Sequence, residues 1–288
     1  MRFAKYHGTG NDFVIVEDIR DELRLEPALV AGLCDRHRGV GADGLIRIAP
    51  ADEADFFMDY SNASGEIAEM CGNGIRCLAK YVYDRGLTSA REIDVLTRAG
   101  VKHLVIEAEN GVAHRVTVDM GPPALERRSI PMQGDPTGTF VGEPFEVEGT
   151  PYTATGVSMG NPHCVLFLPA GLDPGSVDVT RIGPLVEMRP EFPNRTNVEF
   201  VSARDGAIRL RVWERGSGET MACGTGACAA LVASSLAGLT GREAPVEFPG
   251  GRLDVSWPDD AGSVFLTGAA AFVFEGDIDP AWLAGVID

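Results

Sequence analysis

Strand-like patterns of apolar and polar positions run over residues 3–7, 13–17, 45–48 and 56–60. The pattern changes after Glu26-Pro27, where Leu29, Val30 and Leu33 fall along one helical face and the proline sits where a first turn tolerates it. After Cys71, the spacing of Ile75, Leu78, Ala79 and Val82 gives a helical apolar stripe that ends near Arg85-Gly86. Alternation rich in β-branched residues and punctuated by Gly and Asn predicts strands at 92–97, 102–107 and 112–119. The first half therefore reads as mixed α and β.

A stretch rich in Pro and Gly over 121–151 marks the crossing into a second half and carries short strand-like runs of its own. Strands follow at 154–158 and 164–168, then a helix near 177–187 and strands at 197–203 and 208–213. A helix over 227–239 is rich in Ala and Leu on every side, which predicts burial at the centre of its half. Closing strands fill 246–274, and Pro280-Ala281-Trp282-Leu283 reads as a short terminal turn of helix.

The two halves echo each other. Met70-Cys71-Gly72-Asn73-Gly74 returns as Ala222-Cys223-Gly224-Thr225-Gly226, preceded by Ser64-Gly65-Glu66 and Ser217-Gly218-Glu219 respectively. Gly10-Asn11 returns as Gly160-Asn161, each followed by an apolar run. Segments that recur in order at a nearly constant offset imply two similar halves that bury apolar faces against one another. Each half would offer one cysteine to a common cleft.

With 288 residues, 44% of them hydrophobic, the chain can bury a full core as one large or two medium domains. Its 42 acidic against 25 basic residues give a net charge of −17, which repels phosphate backbones and anionic membrane surfaces, so nucleic acid is not an expected partner. No apolar run approaches a bilayer-spanning length, and the opening residues resemble a strand and not a secretory leader, so a cytoplasmic location is expected. Six cysteines without a CxxC pair fit that compartment as thiols. Cys34, Cys77, Cys164 and Cys228 sit among apolar neighbours and read as small buried hydrophobes. The five histidines lack ligand spacing, so no metal is expected; no phosphate-cradling loop or Schiff-base lysine context stands out, so neither nucleotide nor pyridoxal phosphate is expected either.

Cys71 and Cys223 differ from the other four because each opens a helix. The first turn of a helix has backbone N–H groups to offer and the positive end of its dipole, which stabilise a thiolate and hold a ligand carboxylate. A free thiol has a pKa near ~8.5, so one member of such a pair can act as base near neutral pH while the other stays protonated. Two thiols on opposite faces of a carbon then remove a proton from one side and deliver one to the other, inverting the centre. The same proximity would also serve a redox sensor that switches between dithiol and disulfide, a reading that predicts no exchange of solvent protons into any amino acid.

The chain resembles the diaminopimelate epimerase family over nearly its whole length. The resemblance rests on Lys5-Tyr6-His7-Gly8-Thr9-Gly10-Asn11-Asp12-Phe13, Arg36-His37-Arg38-Gly39-Val40-Gly41-Ala42-Asp43-Gly44, Met70-Cys71-Gly72-Asn73-Gly74-Ile75-Arg76-Cys77, Met159-Gly160-Asn161-Pro162-His163, Arg195-Thr196-Asn197-Val198, Glu214-Arg215-Gly216-Ser217-Gly218-Glu219-Thr220 and Ala222-Cys223-Gly224-Thr225-Gly226-Ala227-Cys228. It implies an α+β fold of two pseudo-symmetric mixed α/β halves. Each would be a mostly antiparallel sheet or barrel wrapped around a central helix, with the active site in the cleft between them. The expected halves are 1–119, joined by a C-terminal strand at 269–280, and 120–268.

The resemblance further implies a cofactor-independent epimerase that interconverts LL- and meso-diaminopimelate in lysine and peptidoglycan precursor synthesis, working as a homodimer. Cys71 and Cys223 would be the acid/base pair, with His163 and Glu214 supporting proton transfer. Substrate contacts would come from Asn11, Asn62, Gly72, Asn73, Asn161, Asn197, Glu214, Arg215, Gly224 and Thr225. Side-chain amides and helix-mouth N–H groups recognise a zwitterion without adding net charge near a thiolate. His7, Arg36 and His37 read as structural. One departure stands out: where some members carry a substrate-binding glutamine after Ala-Asp, this chain has Gly44. Rival enzymes of the same fold are racemases acting on proline, hydroxyproline or histidine, against which Asn73 counts, and phenazine-type isomerases, against which the two cysteines count.

Overall fold

A computed structural model describes residues 1–287. The chain forms two compact units, Met1–Val118 with Gly268–Asp288, and Asp119–Thr267.

In the first unit the elements are β1 (Arg2–Gly8), β2 (Asn11–Glu17), α1 (Pro27–Cys34), β3 (Gly44–Ala49), β4 (Phe56–Asn62), α2 (Gly72–Asp84), β5 (Glu92–Thr97), β6 (Gly100–Glu109) and β7 (Val112–Asp119). The second contributes β8 (Glu143–Val147), β9 (Thr150–Ser158), β10 (Pro162–Phe167), α3 (Val179–Glu187), β11 (Asn197–Arg204), β12 (Ala207–Glu214), β13 (Gly218–Thr220), α4 (Gly224–Leu236), β14 (Glu243–Phe248), β15 (Gly251–Ser256) and β16 (Phe265–Ala269). The chain then returns to the first unit with β17 (Ala271–Asp277) and α5 (Pro280–Ile287).

Strand pairing shows the duplication directly. Along the first sheet β1/β2 is antiparallel, β2/β3 parallel, β3/β4 antiparallel, β4/β5 parallel, and β5/β6 and β6/β7 antiparallel, with β17 closing antiparallel on β1. The second sheet repeats that series with β9, β10, β11, β12, β14, β15 and β16, and β8 takes the place of β17 beside β9. Each unit is a mixed, mostly antiparallel sheet that curls around one helix. α2 packs on β1, β2, β3, β6 and β17, and α4 packs on β9, β10, β11, β12, β14 and β15.

The apolar run 13–16 is continuous and not alternating because β2 is buried on both faces. Val14 and Val16 join Phe3, Leu45 and the α1 residues Leu29, Val30 and Leu33 in one cluster, against which α5 lays Trp282 and Leu283. The other face looks onto α2: a side chain at Gly74 would meet Ile46 and Met58. In the second unit Phe145, Leu166, Phe200, Val186 of α3 and Phe192 form the corresponding cluster.

Several boundaries differ from the expected ones. α4 starts at Gly224 and not at 227, because Cys223 itself is the N-cap, and it stops at Leu236 because Ala237 caps it and Gly238 turns left-handed (φ +68°). The C-terminal turn is a helix of eight residues whose apolar side packs on α1. The sequence at 177 belongs to a preceding 3-10 turn, with Asp178 capping α3. Among the described residues no helix is long and apolar enough to cross a membrane.

Candidate active site

Both cysteines singled out by the repeat are helix N-caps in extended conformation, Cys71 at φ −137° and ψ 114°, Cys223 at φ −127° and ψ 120°. Residues that begin a helix this way aim their side chains at the first-turn N–H groups, and Gly74 N–H donates to Cys71 Sγ at 3.5 Å. The glycines let the turn approach the sheet. A Cβ on Gly74 would lie 2.9 Å from Ile46 Cδ1, and one on Gly226 would lie 2.9 Å from Glu199 Oε1.

In the first unit the β1–β2 hairpin turns through Thr9 and Gly10, both with positive φ (56° and 81°), the conformation a two-residue turn demands. That turn delivers Asn11 to the mouth of α2. The Asn11 amide oxygen accepts from the Cys71 thiol at 3.7 Å and from Asn73 Nδ2 at 3.3 Å, while its Nδ2 donates to Asp43 at 2.8 Å. Arg36 bridges Asp43 and Asp12, which fixes that carboxylate in place. Burial works against the Asp12 carboxylate, but hydrogen bonds from Arg36 and Lys5 outweigh it and hold its pKa well below the usual range. Inside α2, the fully buried Arg76 donates to Gly72 O at 2.8 Å and to Asn73 Oδ1 at 2.9 Å. The Asn73 side chain is thereby locked, so what Gly72 and Asn73 offer a ligand is the backbone of the first turn.

Asn62 lies at the end of β4, in register with Gly44, which in turn pairs with Phe13. Its Oδ1 accepts from Ser64 N, Ser64 Oγ and Glu66 N, so the group it presents is the amide nitrogen. The departure at Gly44 has a physical reason. A Cβ there would stand 2.6 Å from Tyr60 Cε2 and 2.7 Å from Ser61 O, so the Tyr60 ring fills the room a longer residue 44 would need.

In the second unit Gly160 (φ +92°) turns the chain so that Asn161 reaches the mouth of α4, where its Nδ2 donates to Thr225 Oγ1 at 3.3 Å. Thr225 Oγ1 lies 3.4 Å from Cys223 Sγ, and His163 Nε2 lies 3.0 Å from Asn161 Oδ1. Asn197 Nδ2 donates to Pro162 O and its Oδ1 accepts from Arg215 N–H, both at 2.8 Å, tying β11 to the end of β12. Glu214 accepts from Thr220 Oγ1 across the β12–β13 ladder. Burial, and then the Glu214 carboxylate, push the Cys223 thiol well above its ordinary pKa, against the pull of the Thr225 hydroxyl and the Gly226 N–H. Burial also pushes Cys34 up to about 11 and Cys77 up to about 12.

Each unit thus assembles its own half of the expected residues. Asn11, Cys71, Gly72 and Asn73 are joined in one, while Asn62 stands apart in its own turn; Asn161, His163, Cys223 and Thr225 are joined in the other, with Gly224 opening α4 between Cys223 and Thr225 and Asn197, Glu214 and Arg215 on adjoining strands. Three residues that matter were missed. Arg76 and Glu199 are each 0% exposed, and Asp43 holds Asn11. A signal existed for the first two, since each is a lone charge inside an otherwise apolar run, Ile75-Arg76-Cys77 and Val198-Glu199-Phe200, and buried charges are kept only where they are paired.

Solved structures resemble this fold over its length. A hydroxyproline epimerase from Agrobacterium vitis superimposes with a TM-score of 0.68, covering 98% of this chain and 93% of that one at 17% identity. A phenazine biosynthesis protein from Bacillus anthracis gives 0.67, covering 97% and 99% at 17% identity. Those identities speak for the fold alone. Sequence relatives are far nearer: a diaminopimelate epimerase from Pelotomaculum thermopropionicum is 50% identical over 280 residues, 96% of this chain and 98% of the relative. One from Methanococcus maripaludis is 44% identical over 280 residues, 97% of this chain and 100% of the relative. The family model for diaminopimelate epimerase matches residues 3–126 and 155–273, which take in both helix-mouth cysteines, so the chain belongs to the diaminopimelate epimerase family.

Proposed function

We propose that this enzyme interconverts LL- and meso-diaminopimelate by moving protons at one α-carbon between two thiols, without a cofactor. The observation that carries the reading is the duplicated N-cap cysteine, one at the mouth of each buried central helix. One sulfur, as thiolate, takes the α-hydrogen and leaves the electron pair on the carbon, next to its carboxylate; the other gives its own hydrogen to the opposite face. The enzyme ends with the two sulfurs exchanged in protonation, and the reverse reaction restores them. Burial and the Glu214 carboxylate favour the thiol form of Cys223, which supports giving it the acid's part and Cys71 the base's.

The other residues follow from what they can donate. First-turn N–H groups of Gly72, Asn73, Gly224 and Thr225 bind the carboxylate of the reacting end, in the way helix N-termini bind anions. His163 and Glu214 adjust the proton on the Cys223 side. Asn11 and Asn161 orient the reacting end, while Asn62, Asn197, Glu214 and Arg215 read the distant amino acid end. A site that pairs those polar groups rejects shorter amino acids, because each stranded donor or acceptor costs about 1–3 kcal/mol. Six reduced thiols suit a cytoplasmic setting, and a homodimer would cover the exposed Phe272, Val273 and Phe274 of β17. Measured kcat/KM for LL-diaminopimelate against alanine, lysine, proline and hydroxyproline tests the substrate. Only the first is expected to turn over, and faster turnover of an imino acid would refute the assignment.

A further inference from the structure

Five side chains of the second unit form an unbroken series of hydrogen bonds. Glu199 Oε1 meets His163 Nδ1 at 2.6 Å, His163 Nε2 meets Asn161 Oδ1 at 3.0 Å, Asn161 Nδ2 meets Thr225 Oγ1 at 3.3 Å, and Thr225 Oγ1 meets Cys223 Sγ at 3.4 Å. Glu199, at the far end, has no part in the reaction described above. It is nonetheless fully enclosed, and α4 is built around it, since a Cβ at Gly226 would press on its Oε1.

The direction of each bond follows from valence. The Asn161 carbonyl oxygen only accepts, so the His163 ring carries a hydrogen on Nε2. Asn161 Nδ2 then donates to the Thr225 oxygen, and the threonine's own hydrogen is free to turn to the sulfur, where it favours the thiolate. Suppose instead that the Glu199–His163 pair held one hydrogen fewer, with the ring protonated only on Nδ1. Nε2 would become an acceptor, the Asn161 amide would turn over to donate to it, and the Thr225 hydrogen would be drawn from the sulfur to the amide oxygen. The hydrogen content of one buried pair thus decides whether Cys223 receives an O–H donor.

We propose that Glu199 is a positioning residue for Cys223, acting through His163, Asn161 and Thr225 to aim the threonine hydroxyl at the sulfur. This rests on the two-thiol reading for its meaning in catalysis, but not for its geometry. The pair keeps its hydrogen because Glu199 Oε2 has no partner among the described residues and a bare carboxylate there would be stranded; burial raises the Glu199 carboxyl accordingly. The ionisable groups facing Cys223 are Glu214 and Glu199, and those facing Glu199 are His163 and Glu214, with Cys164 nearby on β10.

The test is the pH dependence of alkylation at Cys223, read site by site by peptide mapping with iodoacetamide, in wild type, Glu199→Gln, Thr225→Val and the double variant. Glutamine keeps the shape but no longer fixes the ring's hydrogens, so the Cys223 midpoint is expected to rise by about one pH unit, a tenfold loss of thiolate at a given pH and the opposite of the fall that loss of the carboxylate's charge alone would give. Thr225→Val should shift it similarly, and the double variant no further than either single one. An unchanged or lowered midpoint in Glu199→Gln, or shifts that add in the double variant, would overturn the proposal. Nitrogen-15 NMR of the histidines in wild type covers the case in which the variant does not fold: a hydrogen on His163 Nε2 is expected, and a bare Nε2 would overturn it. Neither measurement needs turnover, so an enzyme inactive on diaminopimelate would refute the proposed function without deciding the role of Glu199, which the alkylation midpoints and the histidine spectra decide by themselves.

Discussion

The two units share a strand order, a capping geometry and a Gly-Asn turn aimed at the helix mouth, yet they back that asparagine in opposite ways. Asn11 is held by Asp43, a half-exposed carboxylate tied to the exposed Arg36. Asn161 is held by His163, and His163 by Glu199, both with side chains 0% exposed. The helices differ in the same sense: α2 carries the buried Arg76 and Lys80, whereas α4 has no charge at all and faces Glu199 and Glu214. The mouth of the first central helix is thus backed by a partly exposed ion pair, and that of the second by an enclosed histidine and carboxylate. A two-base inversion needs one thiolate and one thiol, and unequal surroundings decide which sulfur keeps the proton.

The largest effect expected is on turnover. Cys71→Ala and Cys223→Ala should each lower kcat by about 10²–10⁴-fold or more, the worth of a positioned acid or base, with losses that do not add in the double variant. Retention of near wild-type turnover by either would mean that the two halves are not both used. Next comes the chemistry of the halves. Glu214→Gln removes a carboxylate that raises the Cys223 thiol, so its alkylation midpoint should fall by about one pH unit while that of Cys71 stays put. At neutral pH in wild type, peptide mapping should find alkylation of Cys71 well ahead of Cys223.

Matched glycines offer a structural contrast. Alanine at Gly226 would meet a buried carboxylate oxygen at 2.9 Å and the Cys223 side chain within 3.4 Å, and should cost about 1–3 kcal/mol by denaturant unfolding. Alanine at Gly74 meets the methyl ends of Ile46 and Met58, which can swing aside, so about 1 kcal/mol or less is expected. Equal costs would mean that the atoms facing the two glycines yield equally.

The smallest effect is on pH stability. Cys34, Cys77, Cys164 and Cys223 all have folded pKa values raised above the unfolded thiol's, so the native state binds more protons there once pH exceeds the unfolded value. Their stabilisation is intact below about pH 8.5 and is lost as pH climbs toward the raised values. Tm should therefore decline from about pH 9 upward, and Cys164→Ala should flatten part of that slope. A Tm that stays level to about pH 11 would contradict the burial argument.

Much of this was legible in the residues. The apolar stripe from Ile75 to Val82 and the uniform Ala/Leu face after Cys223 located both central helices, and the repeated Cys-Gly-x-Gly located their mouths. What stayed hidden depends on pairing across distance. Nothing local in β4 says that Tyr60 leans into the gap at Gly44, a consequence of the β3–β4 register. Nor does the spacing of His163 and Glu199 reveal their bond, which exists because β10 and β11 run parallel and bring His163 beside Asn197, two residues from Glu199. Lone charges inside apolar runs were the one trace such contacts left in the sequence.

The central claim is that two bases, one from each half, invert a single carbon, and the initial phase of the reaction in deuterated water tests it. With LL-diaminopimelate as substrate, meso product should carry one solvent deuterium at the inverted α-carbon from the first turnover, while recovered LL-substrate stays unlabelled. Deuterium entering the recovered substrate as fast as the product, or product that retains its original hydrogen, would show a single base working both faces and contradict the account.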